Sequence, residues 1–322
     1  TAKDISTTKP KAGIRGAKQG PKLVVKDKEV IQEAMPALHL ADAEVAVLYS
    51  LRQGAFLRGE HGILKGPPLA ELIRWVHFLS QQMPGDGHGQ LAKLSDDLQQ
   101  AVASGDQLTL EAFQSLMEQK GLDRIPPEAG VKPDAFWRHC QGFTCGLWTL
   151  FHVLSVHPME SSEDILLHIR GFVDHFFGCD YCREHFLEAF DGCKLDRCTL
   201  APNDHEGAAL WLWKMHNDVT LRVAKEDGRE ASLWPAVEDC EDCWICHECW
   251  KKGSRSKEDF NRAAILAYLR REFSSDNEWQ DTGHWMTGGS AIYGAILLAI
   301  ISALLLVVVA FKVLHREDAR GK

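Results

Sequence analysis

The chain of 322 residues has no cysteine before Cys140 and no surplus of positive charge. Its net charge of -9 and pI near 5.9 leave no general basic surface to neutralise a phosphate backbone, so nucleic acid is excluded as the expected partner. Strand-like runs are few and no repeat of solenoid length occurs, which leaves an all-α fold class with helices packed as a compact bundle. Neither an initiator Met nor an apolar signal region stands at the start, Thr1. A natural beginning further upstream is therefore expected. The hydrophobic content of 45% excludes a wholly disordered chain and suffices for two modest cores.

The strongest compositional feature present is Ser290 to Phe311, an apolar run without one charge. At about 1.5 Å per residue it spans a hydrocarbon core of roughly 30 Å, and a buried soluble helix is the competing reading. Lys312, His315, Arg316, Arg320 and Lys322 follow the run, whereas Glu272, Asp276, Glu278 and Asp281 precede it. Basic flanks favour the cytoplasmic side, so a single-pass type I protein of the secretory pathway is expected, its body in the Golgi or ER lumen or at the cell surface. Such compartments are oxidising, and the ten cysteines are accordingly read first as disulfides.

Residues 1–29 carry seven lysines and little apolar periodicity, as a linker does. From 30 to 129 the spacing predicts helices: Leu69, Leu72, Ile73, Val76 and Leu79 share one face after Pro67 and Pro68, and Leu91, Leu94, Leu98 and Val102 share another. Gly85 to Gly87 reads as the turn between them. This segment holds no cysteine and is expected to be a helical spacer. Beyond Pro126 and Pro127 lie all ten cysteines and nine of the ten tryptophans, which puts a domain boundary near residue 130 and a second domain over 130–275. Residues 276–289 are then a juxtamembrane linker, 290–311 the membrane helix and 312–322 a cytoplasmic tail. Within the second domain Ile165 to Phe177 follow helical spacing from a capping box at Ser161 and Asp164. Asn203 and Glu206 predict the start of a helix to about Ala224, and Asp259 to Phe273 predicts a last one.

The chemistry centres on Cys179-Asp180-Tyr181-Cys182, which directly follows an aromatic helix. Cysteines at i and i+3 in a first helical turn can close a small disulfide, and a helix N-terminus stabilises a thiolate there. A structural disulfide or half a zinc site remain the alternatives for this pair taken alone. Trp148 and His152 lie i, i+4 on one helix; Trp213, His216 and Asn217 lie i, i+3, i+4 on another; His185 follows Cys182 by three. Singly these are core residues, but together they can wall a flat redox cofactor such as a flavin.

Four stretches carry a resemblance to a known family: CQGFTCGLWTLFH (140–152), FFGCDYCREHF (176–186), LWLWKMHNDV (210–219) and WPAVEDCEDC (234–243). In order and spacing they resemble the Erv/ALR flavin domain of the quiescin sulfhydryl oxidases, a four- or five-helix bundle. The helical segment before residue 130 is similar to that family's spacer. The resemblance implies an enzyme that uses FAD and dioxygen to convert protein thiols to disulfides, releasing hydrogen peroxide. It implies that Cys179 exchanges with the incoming dithiol and that Cys182 lies against the isoalloxazine. By the same carry-over FAD contacts fall to Gln141, Trp148, His152, His185, Trp213, His216, Asn217, Thr220 and Trp234. Cys140 and Cys145 become a structural disulfide, and Cys240 and Cys243 the second CxxC. Gln141, Thr220 and Ala231 replace the usual Arg, Asn and basic residue of the family, which leaves Arg138 or Arg229 for the phosphates. A thioredoxin-like CGHC motif, the usual electron donor, does not occur, and its domain is expected upstream or in a separate partner.

Cys193 and Cys198 read as a short structural bridge. The run from Cys240 to Cys249, with His247 inside it, resembles a zinc knuckle. Only two residues separate its CxxC pairs, so local disulfides, including Cys246 with Cys249, are expected and no metal site. The competing function is a disulfide-stapled, membrane-tethered binding protein without catalysis; a disulfide isomerase that consumes no oxygen is a third reading.

Overall fold

The computed structural model describes residues 28–84, 88–103, 105–122, 137–230, 233–235, 246–251 and 259–274. Residues 1–27, the turn at 85–87, the expected boundary near 130, the Cys240 and Cys243 pair, and everything from 275 on, the apolar run 290–311 included, lie outside them. Among the described residues no helix is long and apolar enough to cross a membrane.

Nine α-helices are described. The first four are α1 (Lys28–Tyr49), α2 (Pro67–Gln82), α3 (His88–Ala103) and α4 (Leu110–Gln119). The rest are α5 (Phe143–Val156), α6 (Ser162–Phe176), α7 (Asp180–Asp191), α8 (His205–Glu226) and α9 (Arg262–Phe273). A π-helical turn, Ser50–Gly54, extends α1, and a 3-10 segment, Lys194–Thr199, follows α7. One departure from the all-α expectation is a small antiparallel ribbon, β1 (Ile63–Lys65) with β2 (Gln107–Thr109), in which Leu64 faces Leu108. Strands of three residues are too short to show an alternating pattern.

Local chemistry explains most helix starts. Two prolines open α2, where a missing N–H leaves no intrahelical bond unmade. Ser161 caps α6 by accepting from the Asp164 N–H at 3.1 Å. The cap of α8 is Asp204, which accepts from the Gly207 N–H at 2.8 Å, rather than the predicted Asn203. An ionised carboxylate one residue later suits the positive end of the helix dipole better than an amide. Helix α9 begins at Arg262 behind an Asn261 cap, later than the predicted Asp259. Residues 259 and 260 are instead held extended: the Lys251 N–H donates to the Asp259 carbonyl at 2.9 Å, and Phe260 bridges Trp250.

From Pro36 onward the described residues belong to one compact unit. Helix α2 lies on α6, with Trp75 fully buried and its ring 4.7 Å from that of Phe172. The Gln82 amide donates to the Leu154 carbonyl at 2.9 Å and so ties the end of α2 to α5. Helices α5, α6, α8 and α9 pack together around Leu150, Ile169, Leu212 and Leu269, all fully buried.

Candidate active site

Cys179 and Cys182 are joined in a disulfide with Cα atoms 5.2 Å apart. Cys179 is the N-cap of α7, and its Sγ accepts from the Cys182 N–H at 3.2 Å. The cap sulfur therefore faces the positive end of the helix, where a thiolate is stabilised. Both cysteines are half-buried.

The turn after α1 braces this pair. Arg58 donates to the Asp180 carboxylate at 2.7 Å and to the Phe177 carbonyl at 3.3 Å. The Arg58 pair holds the Asp180 carboxyl below its usual range. A Cβ on Gly54 would meet the Phe176 carbonyl oxygen at 2.9 Å, so only glycine lets the π turn approach the chain this closely. Arg183 pairs with Asp174 at 3.1 Å and fixes α7 to the end of α6.

Helix α7 runs antiparallel to α8. Tyr181 donates to Glu226 at 2.7 Å and lies under the Arg222 guanidinium, while Phe190 at the other end meets Trp211 at 5.5 Å. His216 and Asn217 stand one and a half turns before Arg222, roughly 9 Å along the axis from the segment that holds Tyr181. His185 packs edge-on against Tyr181 at 4.4 Å.

A cluster of rings occupies the seam of α5, α8 and α9. Trp148 stacks on His216 at 4.4 Å with planes 7° apart. His152 and His216 share a hydrogen bond of 3.2 Å between Nε2 and Nδ1, and Trp234 and Phe273 close on His152 at 5.1 and 5.0 Å. Burial pushes the His216 imidazole down to about 3 and that of His152 well below its ordinary value, so both rings are neutral near pH 7. Trp148, His216 and Trp234 are only partly covered. His152 Nδ1 is buried without a hydrogen-bond partner.

Trp213 and Asn217 hold Trp234 in place. The Trp213 indole N–H and the Asn217 amide donate to the Trp234 carbonyl at 2.7 and 2.8 Å, and Asn217 Oδ1 accepts from the Trp234 N–H at 2.7 Å. Thr220 donates to the His216 carbonyl at 3.0 Å. Gln141 and Arg138 are exposed at the entrance to α5, and Arg229 is exposed and paired with Asp227 at 3.1 Å.

Disulfides also join Cys140 to Cys145, Cys193 to Cys198 and Cys246 to Cys249. Among the described residues no group of His, Cys, Asp and Glu could hold a metal ion.

Three contributors escape a reading of the motifs. Asp42, fully buried on α1, accepts the backbone N–H groups of Arg138, His139 and Cys140 at 2.6, 2.9 and 2.7 Å. His39, one turn earlier, bonds through Nδ1 to the Glu272 carbonyl at 2.6 Å and stacks on Phe273 at 4.9 Å. Arg58 is the third. The available signal was a His and an Asp on the same stripe of α1 as Ala43, Ala46 and Val47, where a polar group needs a buried partner.

The Erv1/Alr family model matches residues 145–240, which contain the Cys179–Cys182 pair and most of the ring cluster. The chain is 30% identical over 261 residues to Sulfhydryl oxidase 1 of Gallus gallus, covering 76% of this chain and 33% of that protein. With Sulfhydryl oxidase 2 of Homo sapiens it shares 31% identity over 270 residues, covering 74% of this chain and 35% of that protein. It thus spans about a third of the length of these relatives. The solved Sulfhydryl Oxidase Fragment of Human QSOX1 superposes with a TM-score of 0.56 at 26% identity, over 73% of this chain and 94% of that one.

Proposed function

On the premise that this chain carries an Erv1/Alr domain over residues 145–240, we propose that it oxidises pairs of protein thiols to disulfides through Cys179 and Cys182. The relatives named sulfhydryl oxidases support this reading. The observation that carries it is the disulfide on the N-cap of α7, braced by Arg58, in a domain that also holds a partly open wall of neutral rings on α5 and α8.

In thiol–disulfide exchange a substrate thiolate attacks Cys179 Sγ, and the Cys179–Cys182 bond breaks. The second substrate thiol then displaces Cys179, so that the substrate leaves as a disulfide and the pair is left reduced. The helix end stabilises the sulfur charge on Cys179, and Arg58 offsets the Asp180 carboxylate between the two cysteines.

The same geometry fits FAD. Trp148, His216 and Trp234 offer flat faces, and the unpartnered His152 Nδ1 offers one hydrogen bond to a polar ring edge. Bound FAD would accept the electron pair from the reduced cysteines and pass it to dioxygen, giving hydrogen peroxide. Trp213, Asn217 and Thr220 act by fixing Trp234 and His216, and His185 lies beside Tyr181 of the CxxC motif. Reduced protein thiols are the substrate class, delivered by a thioredoxin-like domain upstream or by a separate protein. Residues 30–129 are read as the spacer and 130–275 as the oxidase domain. We place this body in a lumen of the secretory pathway, with 290–311 as the anchor.

Purified protein should be yellow and should consume oxygen and release peroxide on addition of dithiothreitol. Cys179→Ser and Cys182→Ser should each abolish turnover and keep the colour. Colourless protein, or turnover retained in both variants, would overturn the reading; the first result would favour a stapled binding protein.

A further inference from the structure

At the far end of α7 lies a second disulfide, Cys193–Cys198. The rest of α7 from Cys182 to Asp191, followed by Gly192, separates it from Cys182, roughly 17 Å along the axis. Its loop gathers three non-glycine residues with left-handed backbone, Cys193 (φ 56), Leu195 (φ 57) and Asp196 (φ 64). A Cβ crowds the backbone in that region, so the loop is under local strain. Both cysteines are exposed, whereas Cys246 and Cys249 are both buried and the Cys140–Cys145 pair has only Cys145 exposed.

The surroundings of Cys198 are built rather than open. Arg197 places Nη2 at 3.0 Å from Cys198 Sγ. It is held there by donating from Nε to the Phe190 carbonyl at 2.7 Å and by lying 4.1 Å over the Phe190 ring. Cys198 and Arg197 line a cavity of about 200 Å³ whose other walls include Ser162, Glu163, Leu166 and Leu200. An exposed, strained disulfide with a fixed cation beside one sulfur is suited to exchange, not to stapling.

We propose that Cys193–Cys198 is a second thiol–disulfide exchange site, which takes a small thiol or a peptide cysteine into the cavity beside Cys198. The incoming thiolate attacks Cys198 Sγ, the bond to Cys193 breaks, and Cys193 leaves and takes up a proton. A second thiol then attacks the sulfur of the bound thiol. The two thiols depart as one disulfide and Cys198 is left as a thiolate facing Arg197. Two thiols are oxidised and one protein disulfide is reduced; the reverse sequence, with a low-molecular-weight disulfide as oxidant, restores it. Opening releases the loop from its left-handed backbone, which favours the dithiol.

The inference is independent of the oxidase reading, and its test removes that centre. The full chain with Cys179→Ser and Cys182→Ser is equilibrated in a series of reduced and oxidised glutathione, alkylated and analysed by mass spectrometry. Wild-type chain treated alongside guards against misfolding of the variant. Cys193–Cys198 should open at least about tenfold more readily than Cys140–Cys145 and Cys246–Cys249 in the same molecule, about 30 mV for a two-electron couple. With Cys193→Ser added, glutathione should be trapped on Cys198. Arg197→Ala should slow alkylation of Cys198 and Arg197→Lys should restore most of the rate. Leu195→Gly, which relaxes the loop, should shift the equilibrium toward the disulfide by about threefold. Opening no easier than that of Cys140–Cys145, or no glutathione adduct on Cys198, would overturn the proposal.

Discussion

At the scale of single residues, the buried polar groups of α1 set the largest expectations. Asp42 accepts three backbone N–H groups in a site without solvent, and charged hydrogen bonds of this kind contribute about 1.5–3 kcal/mol each. Asp42→Ala would leave those donors unpaired, and urea denaturation should show a loss of at least about 3 kcal/mol. Asp42→Asn, which keeps acceptor oxygen but not charge, should lose less. His152 differs, because its Nδ1 is unpartnered within the protein. If that atom meets a bound flavin, His152→Phe should weaken flavin retention while leaving the thermal midpoint of the flavin-free chain within a few degrees. An equal fall in both would assign His152 to the core alone.

Among elements, the turn after α1 and the start of α7 act as a pair. The Asp180 end of the Arg58–Asp180 pair faces solvent, where an ion pair adds little to stability, so its weight falls on the placement of the CxxC loop. Arg58→Ala should slow dithiol oxidation several-fold with little change in unfolding midpoint, and Arg58→Lys should recover part of the rate by restoring charge without the two-pronged geometry. Gly54→Ala should do more harm, since its Cβ would press on the Phe176 carbonyl. The helices themselves were legible in outline. Stripes such as Leu69, Leu72, Val76 and Leu79, and the cap at Ser161, announce α2 and α6 because period and capping are local properties. The Cys179–Cys182 pair and the rings at 148, 152, 213, 216 and 234 were visible as motifs. The partners of Arg58 and Asp42 were not, because they lie 122 and 96 to 98 residues away, and no local pattern reports such a pairing. The start of α9 was missed for the same reason, the extended stretch at 259 and 260 being fixed by an isolated β-bridge from Phe260 to Trp250.

Over the whole molecule, buried neutral histidines shape the response to acid. Burial holds His39 down to about 4 and His216 to about 3, against about 6.5 in an unfolded chain. The unfolded state then binds more protons in this window, so stability falls as pH drops from about 6.5 toward 4. Glu71 and Glu272, raised by burial, act in the opposite sense above their ordinary values. The histidine share is isolated by comparing wild type with His39→Gln by urea denaturation from pH 7 to 4.5; the variant should lose less stability on acidification. The joint packing of α2 with α6, and of Asp42 with the backbone before α5, bears on how the chain can be divided. A cut near residue 130 would strip Phe172 of its Trp75 cover and unseat the strand of backbone leading to Cys140. The smallest autonomous fragment should therefore reach back to Pro36. Limited proteolysis that nicks the chain between 122 and 137 should leave two pieces that travel together until denaturant is added.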